Sequence, residues 1–139
     1  MKLLFLTGKY PPNSTGGGEI STALISDGLR ARGHTITVVT DAELPGLTDK
    51  PLFERSHAKR LAKKLMKLKA NDANIVHAHD FRSGLVLYEL IRLGAVRPEQ
   101  ACITLRDYAA VSGDTNAITQ DGAIPKNPGN ILAAWNSYR

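Results

Sequence analysis

The chain has 139 residues, 42% apolar and 22% charged, a mixture that fits one globular domain with its own core. It excludes a disordered, fibrous or disulfide-built protein. The formal charge is +5, from 18 basic and 13 acidic residues, but seven of the basic ones (Arg55, Lys59, Arg60, Lys63, Lys64, Lys67, Lys69) stand in a stretch without an acid. The remainder carries 11 basic against 13 acidic residues, so no nucleic-acid partner is expected.

The first segment, Met1 to Thr7, begins like a secretory leader. Its apolar part is too short, however, and Gly8-Lys9-Tyr10-Pro11-Pro12 interrupts it at once. It reads as a strand over 2–7, continuous enough to be buried on both faces of a parallel sheet. A turn-rich loop, 8–18, ends in Gly16-Gly17-Gly18, and a helix is expected from about Glu19 to Arg32, with Ile20, Ala23, Leu24 and Ala31 on one face and Gly33 as its stop. Thr35–Thr40 is a β-branched strand, followed by a loop over 41–51 with Pro45-Gly46. The basic segment, about 52–70, is a helix with Leu61, Leu65 and Leu68 on one stripe. A third strand, 74–79, leads into a helix over about 83–93. A fourth strand, 101–105, holds the single Cys102, expected to be a small buried side chain, and runs into a polar stretch over 106–130. Residues 131–138 begin a last helix.

Alternation of this kind predicts right-handed βαβ units, hence an α/β domain whose Rossmann-like parallel sheet has helices on both faces. The whole chain, 1–139, is read as one such domain. No apolar run approaches the ~18 residues needed to cross a bilayer. With no leader, the cytoplasm is the expected compartment, and Asn13-Ser14-Thr15 an unused glycosylation sequon. The chain stops at an expected helix with no strand after it, and reads as unfinished.

Ligands of such sheets bind beyond the carboxyl ends of the strands, which singles out four segments. Gly16, Gly17 and Gly18 bring bare backbone N–H groups to a helix N-terminus, a place for an anion or simply a flexible helix start; Glu19 beside them would repel a phosphate. No GxGxxG or P-loop spacing is present. His77 and His79 share a face of the third strand, His77 as a hydrogen-bonded core residue, while His79 and Asp80 either meet a polar ligand or anchor a loop. A zinc site would need a third ligand, with only Asp80 or Asp107 near, so no metal is expected. Arg106 after the fourth strand is a clamp for phosphate or carboxylate, or an ion-pair partner of Asp80 or Asp107. The lysines of the basic helix form a solvated face or, at Lys59, Lys63 and Lys67, a surface for anionic lipid.

Together, the opening strand, the Pro-Pro loop, Gly-Gly-Gly-Glu at a helix start, Arg30-Ala31-Arg32-Gly33-His34 before a Thr/Val strand, and Asn74-Ile75-Val76-His77-Ala78-His79-Asp80 resemble the N-terminal half of a GT-B glycosyltransferase of family 4. Arg106-Asp107-Tyr108 resembles the Arg-Asp-Tyr-Trp-Pro-x-Cys segment of some members, although Ala109, Ala110 and Ser112 depart from it and many members have His in place of Arg106. The resemblance implies sugar transfer from a nucleotide sugar, as co-substrate, with retention and usually without metal. It implies an acceptor-side half, N-terminal to an absent donor-binding domain, with a sugar, lipid-linked or other acceptor. On this basis Gly16, Gly17 and Gly18 approach the donor diphosphate, and Glu19, His79, Asp80, Arg106 and Asp107 line the acceptor side. The family's donor half with its paired glutamates is not in this chain, so the 139 residues alone are expected to be inactive. The competing expectations are a non-catalytic module that pairs with a separate donor-binding chain or an anionic membrane, and a small nucleotide-binding protein.

Overall fold

In the computed structural model, residues 1–14, 16–47, 55–68 and 72–106 are described. They comprise β1 (Lys2–Leu6), α1 (Gly17–Ala31), β2 (Thr35–Val39), α2 (Arg55–Lys67), β3 (Ile75–Ala78), α3 (Phe81–Arg92) and β4 (Ala101–Ile103). The chain divides into two units, Met1–Thr104 and Leu105–Arg139. The second is described only at Leu105 and Arg106. The expected polar stretch, the last helix, and Asp107 with its following residues lie outside the described residues.

The four strands form one parallel sheet in the order β2-β1-β3-β4. From β1 the chain moves to one side for β2, then crosses to the other for β3 and β4. The direction reverses between β1 and β3, which makes the sheet doubly wound and Rossmann-like, as the strand–helix alternation implies. Register follows side-chain parity. Leu4 and Leu6 share a face with Val76 and Ala78, and against it pack Leu61 and Leu65 of α2 and Val86, Leu87 and Leu90 of α3. Leu3, Phe5 and Ile36 form a smaller core on the opposite face with Leu29 of α1. Phe5 and Leu6 are completely or almost completely buried, each adding ~1.5–3 kcal/mol relative to an exposed side chain.

Local chemistry accounts for the ends of the elements. Asp80 caps α3: Ser83 N–H donates to Asp80 Oδ1 (2.8 Å), while Asp80 N–H donates to Ser83 Oγ (3.2 Å). Gly33, at φ +83°, closes α1 in the left-handed conformation that the stop signal required. Gly46 (φ +98°) turns the loop after β2 back, so that its carbonyl meets His57 Nε2 at 2.7 Å and Leu44 and Leu47 are buried beside α2. Buried Glu89 of α3 accepts from Arg55 Nε (2.9 Å) and Arg92 Nη1 (3.4 Å), strapping α2 to α3.

Three expectations fail. The face of α1 turned to the sheet carries Thr22 and Ser26, whereas Ile20 and Leu24 are exposed, Leu24 to 68%. The sheet supplies the bulk here, in Leu3, Phe5 and Ile36, and short side chains on the helix match it. Thr22 Oγ1 satisfies itself by donating to the Gly18 carbonyl (2.9 Å). Cys102 is exposed, because it pairs with His77 on the α1 face of the edge strand, and α1 lies over the opposite half of the sheet. Leu68 stands one residue past α2 and is 52% exposed, so the buried stripe ends at Leu65.

Candidate functional site

The carboxyl edge of the sheet is built around Gly8. Its N–H donates to Asp80 Oδ2 (3.0 Å), and its carbonyl accepts from Asp41 N–H (3.1 Å). One buried glycine therefore ties together the segments that follow β1, β2 and β3, at the point where the winding reverses. Thr7 holds the next turn by donating its hydroxyl to the Lys9 carbonyl (3.1 Å). After β2, Glu43 Oε2 accepts from Thr40 N–H (2.8 Å) and Thr40 Oγ1 (2.7 Å), and these bonds pull the Glu43 carboxyl below its ordinary value.

Asp80 is thus a tie and a cap, with one carboxylate oxygen committed to each task. Of the two expectations for it, ligand contact or loop anchor, the geometry supports the anchor. The spacing Asp80-x-x-Ser83 is a legible capping signal once the helix start is moved two residues toward the N-terminus. Gly8 has no such signal in the sequence.

His79 is only 2% exposed. Its ring stacks on His77, with centroids 3.9 Å apart, and leans on Phe5 at 4.4 Å. His77 shares a hydrogen bond with Thr104 Oγ1 through Nε2 (2.8 Å), in line with a hydrogen-bonded core residue. The two imidazoles and Phe5 form an aromatic layer near the carboxyl edge of the sheet. His79 therefore shapes the floor of the edge and presents almost no surface to a ligand.

The glycines open α1 as expected. Gly16 is the N-cap, in extended backbone and without a side-chain cap, and Gly17 and Gly18 are the first two helical residues. These glycines stand at the positive end of the helix. A Cβ on Gly16 would meet the Glu19 carboxylate, which folds back over the cap. A Cβ on Gly17 would meet nothing within 4 Å, and its φ lies outside the left-handed region. Neither packing nor backbone conformation explains a glycine at 17, where it costs up to ~1 kcal/mol of helix propensity.

Arg106 is half-buried and engaged, and belongs to the second unit. Asp107 lies outside the described residues. Lys59, Lys63 and Lys67 line the exposed side of α2, remote in sequence from the strand ends. Among the described residues, no three His, Cys, Asp or Glu side chains come together as metal ligands. No helix there is long and apolar enough to cross a membrane.

The sheet and its edge define a Rossmann-like α/β domain whose winding reverses between β1 and β3. Comparison with family models, curated proteins and solved structures returns no match.

Proposed function

We propose that this domain is the acceptor-side half of a retaining glycosyltransferase, which transfers a sugar to an acceptor from a nucleotide sugar held by a second, donor-binding domain, the nucleoside diphosphate leaving. The observation that carries the proposal is Gly17, a glycine that the fold does not need at the N-terminus of the helix that follows β1. A missing side chain there allows a ligand to approach the backbone closely. The family-like order of segments along the chain is the second support.

Charge grows on the diphosphate as the glycosidic bond breaks, and a fixed N–H group at Gly17 suits that moment, since it needs no reorganisation. Glu19 swings off Gly16 to admit the anion. Asp80 acts by holding the Gly8 turn. One half-cleft does not hold both reactants, and their mutual positioning is worth ~7–11 kcal/mol at best.

The test has two arms. The 139-residue chain, titrated with nucleoside diphosphates and nucleotide sugars, binds weakly and transfers nothing. The reading frame extended past Arg139, screened against nucleotide sugars and acceptors, transfers sugar, and Gly17→Ala lowers its turnover without lowering its melting temperature. Tight nucleotide binding by the chain alone points to a nucleotide-binding protein, and a transfer rate from it removes the need for a second domain. Either result defeats the proposal, as does a stop codon directly after Arg139.

A further inference from the structure

The side of α2 turned away from the core is cationic from end to end. Its buried face is His57, Ala58, Leu61, Ala62 and Leu65, and no acidic residue occurs between Arg55 and Lys67. Two of the cations are committed: Arg55 to Glu89, and Arg60 to His57 Nδ1 at 2.9 Å. The exposed Lys59, Lys63, Lys64 and Lys67 have no ion pair among the described residues. They run along a helix ~20 Å long. Leu68, 52% exposed, stands at its end.

We propose that this face docks on an anionic lipid surface, with Lys59, Lys63, Lys64 and Lys67 against the headgroups. Charge complementarity selects the partner. Unpaired lysines are mobile point charges whose attraction to a plane of anionic headgroups adds up without requiring a fixed geometry. The exposed side of α2 has no aromatic residue to stack on a base and no Asn or Gln to read one. Outside residues 55–69 the chain is slightly acidic, which suits contact through one helix face and opposes wrapping by a polyanion. The strap from Glu89 and the leucine stripe fix α2 to the domain, so the lysines dock as a set. This proposal is independent of the transfer reaction.

The test is co-sedimentation of the chain with vesicles of phosphatidylcholine alone or with about 30% phosphatidylserine. Binding is expected only to the anionic vesicles, and is expected to weaken from about 0.05 M to about 0.5 M salt. The variant Lys59→Gln/Lys63→Gln/Lys67→Gln should bind roughly a hundredfold less, about fivefold per lysine. These lysines are exposed and Gln is a good helix former, so the circular dichroism spectrum should not change. The charge-matched control Lys2→Gln/Lys9→Gln/Arg32→Gln, also at exposed positions, should keep most of the binding. Equal binding to neutral vesicles, undiminished binding by the triple-lysine variant, or an equal loss in the control overturns the proposal. So does lysine-dependent binding to duplex DNA without binding to vesicles.

Discussion

Replacing Asp80 by alanine removes two acceptors at once. The Oδ1 bond from Ser83 N–H caps α3, and loss of such a cap costs about 1 kcal/mol. The Oδ2 bond from Gly8 N–H is charge-assisted and part-buried, a class worth ~1.5–3 kcal/mol, and its loss leaves a buried donor unmatched. The sum is ~2–4 kcal/mol. For 139 residues the unfolding entropy is roughly 0.3 kcal/mol/K, so the melting temperature should fall by ~7–13 °C. Asp80→Asn is the sharper probe. Both partners are N–H donors, and an amide has one oxygen to offer, so its NH₂ must confront either Gly8 or Ser83. About half the full loss is expected in urea denaturation followed by circular dichroism. If Asp80→Asn matches the parent within about 0.5 kcal/mol, the double tie is wrong and Asp80 becomes available for ligand contact.

Other substitutions test other parts of the structure. Ser26 Oγ is buried without a hydrogen-bond partner among the described residues, so Ser26→Ala should raise stability by about 1 kcal/mol in the same assay. Gly28→Ala, at an exposed helical position where a Cβ meets nothing within 4 Å, should add ~0.5–1 kcal/mol by helix propensity. Glu43 has a lowered folded-state pKa, so its bonds to Thr40 stabilise the fold above the ordinary value near 4.5 and lose that effect as pH falls through the folded value. Glu43→Gln should therefore be less stable than the parent at neutral pH. The gap should close in acid below 4.5, as read from urea midpoints.

The strands were the most legible elements, because continuous or β-branched apolar runs such as Leu3-Leu4-Phe5-Leu6 have few alternatives. Their boundaries shifted by one or two residues. Helix α1 was legible in extent and not in orientation. Counting apolar residues around a helix assumes that the bulk lies on the helix side of the interface, whereas here Phe5 and Ile36 bring it from the sheet. At the edge, a glycine triplet and His79-Asp80 were visible as candidates, but their tasks depended on neighbours 72 positions apart, as in the Gly8–Asp80 bond. Arg106-Asp107 drew its functional meaning from resemblance, which local pattern alone does not supply. The exposure of the lysine side of α2 was legible from its spacing, and the structure adds which of its cations are already paired.

The unequal cores on the two faces of the sheet bear on motion. Helices α2 and α3 share a deep apolar layer and the Glu89 strap, whereas α1 rests on the thin layer of Leu3, Phe5, Ile36 and Leu29 through Thr22 and Ser26. Local opening free energy follows such differences in burial. Backbone amides of α1 should exchange with solvent deuterium well before those of α2 or α3, in an excursion that leaves most of the sheet intact. The helix that begins with the glycine triplet is then also the one most easily detached from its seat.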